Sequence, residues 1–218
     1  MKKLIIILAG VFILIITALI LFITIPRKSP DTVINSSEII PYLRDGDIIL
    51  RLGDGALSAP FSEISLTDKR FSHLGIVSIR DENISVINSV GFLTNRERGV
   101  EETPLEKFLQ SAINAGIFRT KSVDGALISA KAAEYLGRPF DWNFNLSDDS
   151  KIYCTELLYV VIKSVAPEIE LNTLYLDSVN LDVLPLDSVS NSDYFDELLF
   201  IELPDRSAQK LPRWLAGQ

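Results

Sequence analysis

Tyr153-Cys154-Thr155-Glu156-Leu157-Leu158-Tyr159-Val160-Val161-Ile162-Lys163-Ser164-Val165 opens on the chain's only cysteine and reads as a helix. Cys154, Leu157, Leu158, Val161, Ile162 and Val165 recur three and four residues apart as one apolar stripe, and Pro167 ends the run. A cysteine in a first helical turn meets backbone N–H groups without intrahelical partners and the positive end of the helix dipole, and both favour thiolate over thiol. The same donors can stabilise the oxyanion of an acyl-transfer intermediate, so one position can supply the attacking sulfur and part of an oxyanion hole. The stripe is also compatible with Cys154 as a small buried hydrophobe.

Working outward, the only histidine, His73, stands beside Phe71 and Leu74 in an apolar stretch, Phe71 to Ile79, that reads as a strand. A lone histidine there is either satisfied in the core or serves as a base. The chain's one thiol and one imidazole thus occupy a helix start and a strand, the element types that a nucleophile and its general base need. Ile84 to Ser89 follows across the polar Arg80-Asp81-Glu82-Asn83, giving a hairpin. If Ile79 lies opposite Ile84, Asn88 shares the face of His73 and can orient its ring; an odd loop would put it on the wrong face.

The other segments complete an α+β pattern. Asp45-Gly46-Asp47 is a turn opening a short strand at Ile48 to Leu50. Thr103-Pro104-Leu105-Glu106 has the signature of a helix start, and Leu105, Phe108, Leu109, Ala112 and Ile113 extend the helical spacing toward Gly116. A short strand at Ile117 to Thr120 precedes a helix capped by Asp124 and stopped by Gly137 and Pro139.

Before all of this, Leu4 to Ile25 carries no charge. Twenty-two helical residues span roughly 33 Å, enough for a hydrocarbon core of about 30 Å. The segment is too long for the apolar core of a cleaved signal peptide and ends Phe22-Ile23-Thr24-Ile25-Pro26, so residues 1–25 read as one uncleaved transmembrane helix. Residues 26–40 read as a polar linker, 41–203 as the folded domain and 204–218 as a tail. The very short amino-terminal flank favours a bacterial single-pass membrane protein with its domain on the periplasmic or extracytoplasmic side.

The chain has 218 residues with 21 Lys and Arg against 29 Asp and Glu. Lys2, Lys3, Arg27 and Lys28 account for four of the basic ones and no acid falls among the first 30 residues, so the rest is strongly acidic and nucleic acid is not an expected partner. One cysteine excludes an intramolecular disulfide, and one histidine excludes HExxH and Cys/His zinc patterns, so a metal site would have to be built from carboxylates; with GxGxxG, GxxxxGK(S/T) and GxSxG also missing, no metal and no cofactor is expected.

Phe71-Ser72-His73-Leu74-Gly75-Ile76-Val77, Gly137-Arg138-Pro139-Phe140-Asp141 and Tyr153-Cys154-Thr155-Glu156-Leu157 together resemble the YiiX/YebB-like branch of the NlpC papain-like cysteine hydrolases. Gly46-Asp47-Ile48 fits the start of the same domain, and the likeness runs in order from about Leu43 to Phe200. It implies a circularly permuted papain-like fold, with an antiparallel sheet packed on the cysteine-bearing helix and the histidine strand preceding that helix. It also implies Cys154 as nucleophile, His73 as general base and Asn88 as the third polar residue, with Tyr153 as a substrate-binding or oxyanion candidate. Many relatives are expected to carry a carboxylate where Asn88 stands; asparagine can hold the ring's tautomer but adds no charge to stabilise imidazolium. Asp47 is expected to be a turn or strand-start residue without a chemical role, and Asp148 and Asp149 a solvated turn.

The expected function is a membrane-anchored cysteine hydrolase of amidase or peptidase type. It would form a thioester acyl-enzyme, with an amide bond of cell-wall peptide as its envelope substrate. Two alternatives stand beside it: a lipid acyl hydrolase or acyltransferase, and an inactive envelope-binding domain. A long apolar groove at the thiol favours lipid, and a polar cleft favours muropeptide.

Overall fold

The computed structural model describes residues 33–55, 57–91, 98–177 and 180–203. Their order is α1 (Ser36–Ile39), β1 (Ile48–Gly53), α2 (Ser58–Ser62), β2 (His73–Arg80), β3 (Asn83–Ser89), β4 (Val100–Pro104), α3 (Leu105–Leu109), β5 (Ala112–Thr120), α4 (Gly125–Ala133), α5 (Cys154–Val165), β6 (Leu174–Leu176), β7 (Leu181–Val183), α6 (Asp187–Ser190) and β8 (Phe195–Glu202). Six strands form an antiparallel sheet in the order β4-β3-β2-β1-β5-β8, and β6 and β7 make a separate hairpin.

β1 sits near the middle of the sheet, which is why Ile48, Ile49 and Leu50 form a continuous apolar run: both of its faces are covered. Ile48, Leu50, Leu74, Ile76, Ile87 and Phe118 pack with Leu157, Leu158, Val161 and Ile162 of α5 and Ile128 and Ala132 of α4. The stripe starting at Cys154 is therefore the surface that docks the helix on the sheet, each fully buried Leu or Ile contributing about 1.5–3 kcal/mol. On the opposite face Ile49, Val77, Val86, Ala115 and Ile117 meet Ile34, Ile39, Leu105, Phe108 and Leu109.

The hairpin β2–β3 has the even register that places Asn88 with His73. Ile79 pairs with Ile84 and Arg80 with Asn83 across Asp81 and Glu82. Both turn residues have positive φ, 47° and 68°, as a two-residue hairpin turn twisted to match its strands requires.

Two expectations are corrected. The helix beginning at Leu105 ends at Leu109, and Ala112 and Ile113 belong to β5, which starts five residues before Ile117. The apolar spacing continues by coincidence, and pairing of this segment with both β1 and β8 decides its conformation. The second correction is the linker. Asn35, Ser36 and Ser37 are the capped start of α1, the Asn35 side chain accepting the Ser37 N–H at 3.1 Å, and Ile34 and Ile39 are core residues, so packing begins before Pro41. Among the described residues no helix is long and apolar enough to cross a membrane. The Leu4 to Ile25 segment and the 204–218 tail lie outside the described residues.

Gly46 has φ +78°, and a Cβ there would lie 1.9 Å from the Gly125 carbonyl oxygen, so the turn into β1 and the start of α4 touch backbone to backbone. Asp47, 2% exposed, accepts the Arg44 N–H at 2.7 Å and both arms of Arg119, Nε at 2.7 Å and Nη2 at 2.8 Å. This residue anchors the start of β1. Asp47→Ala is expected to cost about 2–4 kcal/mol in urea unfolding, because it strands a backbone donor and a partly buried guanidinium. A cost below about 0.5 kcal/mol would show the pair to be ornamental.

Candidate active site

Cys154 is the first residue of α5, with Tyr153 before it as the cap, and Glu156 reaches back so that its Oε2 accepts the Tyr153 N–H at 3.0 Å. The Ser89 hydroxyl at the end of β3 donates to the Ile152 carbonyl, tying the helix start to the sheet. The paired register of β2 and β3 runs from Arg80↔Asn83 only to Ile76↔Ile87. Beyond that point the backbone of Leu74, the residue after His73, turns to the Cys154 sulfur and favours its thiolate, as do the backbone amides of Thr155 and Cys154 itself.

Burial outweighs those donors. The thiol is pushed up to about 11, despite the backbone amides and the positive charge of Arg51 acting in the other direction. The helix-start argument thus identifies real stabilising groups, but the resting form at neutral pH is the thiol. Cys154 is partly exposed and lines an open pocket, so it is not a sealed core residue.

His73 opens β2 and is held from one side. Its Nε2 lies 3.0 Å from Asn88 Oδ1. Asn88 is 2% exposed, and its Nδ2 donates to the Val86 carbonyl at 3.1 Å and to Thr103 Oγ1 at 3.0 Å. A carbonyl only accepts, so the amide can face one way: Oδ1 toward the ring. The hydrogen-bond pattern therefore assigns the proton to Nε2 and leaves Nδ1 with a free lone pair, the form a general base needs. Burial first, and then the charge of Arg51, press the imidazole down to about 3, with the Asn88 bond opposing both. No hydrogen bond joins the Cys154 sulfur to the His73 ring among the described residues; the two are neutral at rest.

Gly75 is part of this arrangement. A Cβ there would lie 2.3 Å from Val86 Cγ1 and 3.1 Å from Asn88 Cβ, so the bare position makes room for Asn88 to reach diagonally across to His73. Asn88→Ala should lower kcat/KM roughly tenfold to a hundredfold by releasing the ring's tautomer and orientation. Asn88→Asp should raise the His73 pKa and move the acidic limb of the pH–rate profile upward; an unchanged limb would show that Asn88 does not govern the ring.

Tyr153 is buried, and its hydroxyl accepts the Leu184 N–H at 3.2 Å, binding the 183–186 segment against the helix start. Beside Cys154 the pocket is walled by Phe61, Ile64, Phe144, Tyr153, Val183 and Leu184. Phe144 has φ 53° and sets its ring between Phe61 and Tyr153, at centroid distances of 6.2 and 5.2 Å. Asp148 and Asp149 form the exposed turn expected of them, Asp148 accepting the Ser150 N–H.

Residues 42–180 match the family described as permuted papain-like amidase enzyme, YaeF/YiiX, C92 family. The chain belongs to the C92 family. In this chain the histidine strand, β2, precedes the cysteine helix, α5. The chain is 29% identical over 126 residues to the uncharacterized protein YiiX of Escherichia coli strain K12, a match covering 55% of this chain and 57% of that protein's length. It is also similar to the crystal structure of a protein described as metalloprotein yiiX from Escherichia coli O157:H7, with a TM-score of 0.59 and 18% identity, covering 73% of this chain and 98% of the other. That second likeness shows the fold alone.

Sequence reading did not find Arg51, Gly75, the Thr103 partner of Asn88 or the pocket wall. Arg51 falls just past the apolar run Ile48 to Leu50 that marks the strand, Thr103 resembles a helix cap, and the wall is assembled from segments more than a hundred residues apart.

Proposed function

We propose that this C92 domain is a thiol amidase that releases an apolar acyl group. The observation carrying this reading is the pocket beside Cys154, whose walls are aromatic and aliphatic. The enclosed space is small, about 30 Å³, so it takes only the part of an apolar acyl group next to the scissile carbonyl, and the rest of the chain would run out along the Phe61, Ile64 and Phe144 wall; a polar muropeptide stem would find few partners on that wall. The lipid-type reading is thereby favoured over the cell-wall peptide. Partial exposure of Cys154, together with the uncommitted His73 Nδ1, speaks for chemistry over an inactive binding domain.

The proton of the Cys154 thiol passes to His73 Nδ1 as the sulfur bonds to the amide carbon. The carbonyl oxygen takes the electron pair and faces the N–H groups at the start of α5. Collapse breaks the C–N bond, and the imidazolium returns its proton to the departing amine. Water, deprotonated by the same nitrogen, then attacks the thioester, and the thiol is restored as the acid leaves. The Escherichia coli protein is described as a metalloprotein; here no group of three His, Cys, Asp or Glu is placed to hold a metal ion among the described residues.

The uncharged Leu4 to Ile25 segment supports a membrane-held enzyme, and the very short flank before it supports a domain on the extracytoplasmic side. Hexanoyl amides and muropeptides offered side by side test the substrate class. Release of amine from the hexanoyl series alone supports the reading, and cleavage confined to muropeptides overturns it.

A further inference from the structure

Strand register puts Arg51 of β1 directly opposite His73 of β2, so the two side chains stand on one face of the sheet. They share a floor: the Arg51 guanidinium carbon lies 5.0 Å from the Phe108 ring centroid, and the His73 and Phe108 ring centroids are 5.7 Å apart. Arg70, Arg98, Arg119 and Arg138 each sit on a carboxylate. Arg51 does not. The Asp54 charge acts on it through space, but no carboxylate is hydrogen-bonded to it among the described residues; its Nη1 makes one long hydrogen bond of 3.5 Å to Ser111 Oγ, and its Nε is buried without any partner. A guanidinium enclosed to this degree with a bare N–H is costly unless an anion completes it.

Position tells which anion. The apolar pocket is lined by Ser72 and Cys154, on the α5 side of β2. Arg51 stands on the same sheet face as His73, and its charge acts on both the imidazole and the Cys154 sulfur, which puts it beside the proposed proton donor to the leaving amine. We infer that Arg51 binds a carboxylate carried by the amine half of the substrate, so that the preferred substrates are N-acyl amino acids or short peptides ending at that residue. The inference rests on the amidase reading and narrows its substrate class. A planar carboxylate can take two N–H groups of the guanidinium together, the buried Nε–H only if the surrounding side chains part to admit it, a two-point contact that a neutral amide cannot reproduce. The Arg51 charge also holds down the basicity of His73, and a bound carboxylate offsets that charge when the base is needed.

The test uses the full chain and the rate at which iodoacetamide labels Cys154 in the presence of N-hexanoylglycine, N-hexanoylglycinamide or hexyl phosphate, so that no turnover is required. The acid should protect at concentrations about tenfold or more below the amide. That advantage should fall to near unity in Arg51→Gln and be partly kept in Arg51→Lys, which retains charge without the fork. Equal protection by acid and amide, an acid advantage that persists in Arg51→Gln, or no protection by either overturns the inference. Protection by hexyl phosphate well above that by the acid overturns it in favour of a phosphoester. Failure of the amidase reading looks different: no amine is released from any hexanoyl amide, whatever the protection pattern.

Discussion

Cys154→Ala is expected to reduce amide hydrolysis by on the order of 10⁴-fold or more while leaving the fold intact. The mechanism has one covalent centre, and no second thiol exists to replace it. The side chain is partly exposed at the first turn of α5, so losing it should open little cavity and move the thermal midpoint by only a few degrees. Cys154→Ser should be nearly as inactive, because a hydroxyl is a far poorer nucleophile than sulfur in the same place. Amine release, followed together with the melting curve, separates lost chemistry from lost structure. Appreciable turnover by a folded Cys154→Ala variant would remove the mechanism altogether.

His73→Ala is expected to cost 10²–10⁴-fold in kcat/KM, and its signature lies in the pH dependence. With burial pushing the thiol up to about 11 and the imidazole down to about 3, very little of the enzyme carries a thiolate at pH 7. His73 is already neutral there, so the base is available but the nucleophile must be deprotonated during attack. Wild-type kcat/KM should therefore be flat from about pH 5 to 9, falling on the acid side as His73 gains its proton. Iodoacetamide labelling of the free enzyme should climb about tenfold per pH unit up to pH 9. In His73→Ala turnover itself should climb in that manner, since only spontaneous thiolate remains. A labelling rate level between pH 5 and 8 would mean a preformed thiolate–imidazolium pair, contrary to the neutral resting site.

Sequence patterns reached those parts of the site where local rules and tertiary structure agree. The spacing from Cys154 to Val165 is a helix because the same stripe buries itself on Leu74 and Ile76. Asn88 could be matched with His73 because side chains in a hairpin alternate strictly, so loop parity alone decided the face. Thr103 shows how the reading fails. Thr-Pro-Leu-Glu is a sound helix start, yet the threonine lies in β4 and its hydroxyl accepts from Asn88, because strand pairing overrides a local capping signal. Ala112 to Gly116 fails likewise, being a strand only because β1 and β8 lie on either side of it. Arg51 is the extreme case. Nothing near it in the chain distinguishes a solvated edge arginine from one enclosed beside His73, since its surroundings come from β2, α3 and Ser111.

The strong upward push on the Cys154 thiol also revises what a helix start can do alone. Unpaired N–H groups and the dipole stabilise a thiolate by modest amounts, and a site walled by phenylalanine and leucine removes more solvation than they return. The same apolar walls that suit an acyl chain therefore make the base indispensable.

In the proposed reaction Cys154 forms an acyl thioester with help from His73. Rapid mixing with p-nitrophenyl hexanoate, acid quench and intact-mass measurement tests it most directly. One added hexanoyl group is expected, mapped to Cys154 and removed by hydroxylamine, absent in Cys154→Ala and formed at least about a hundredfold more slowly in His73→Ala. An unmodified protein, a hexanoyl group on another residue, or acylation at the same rate without His73 would contradict it.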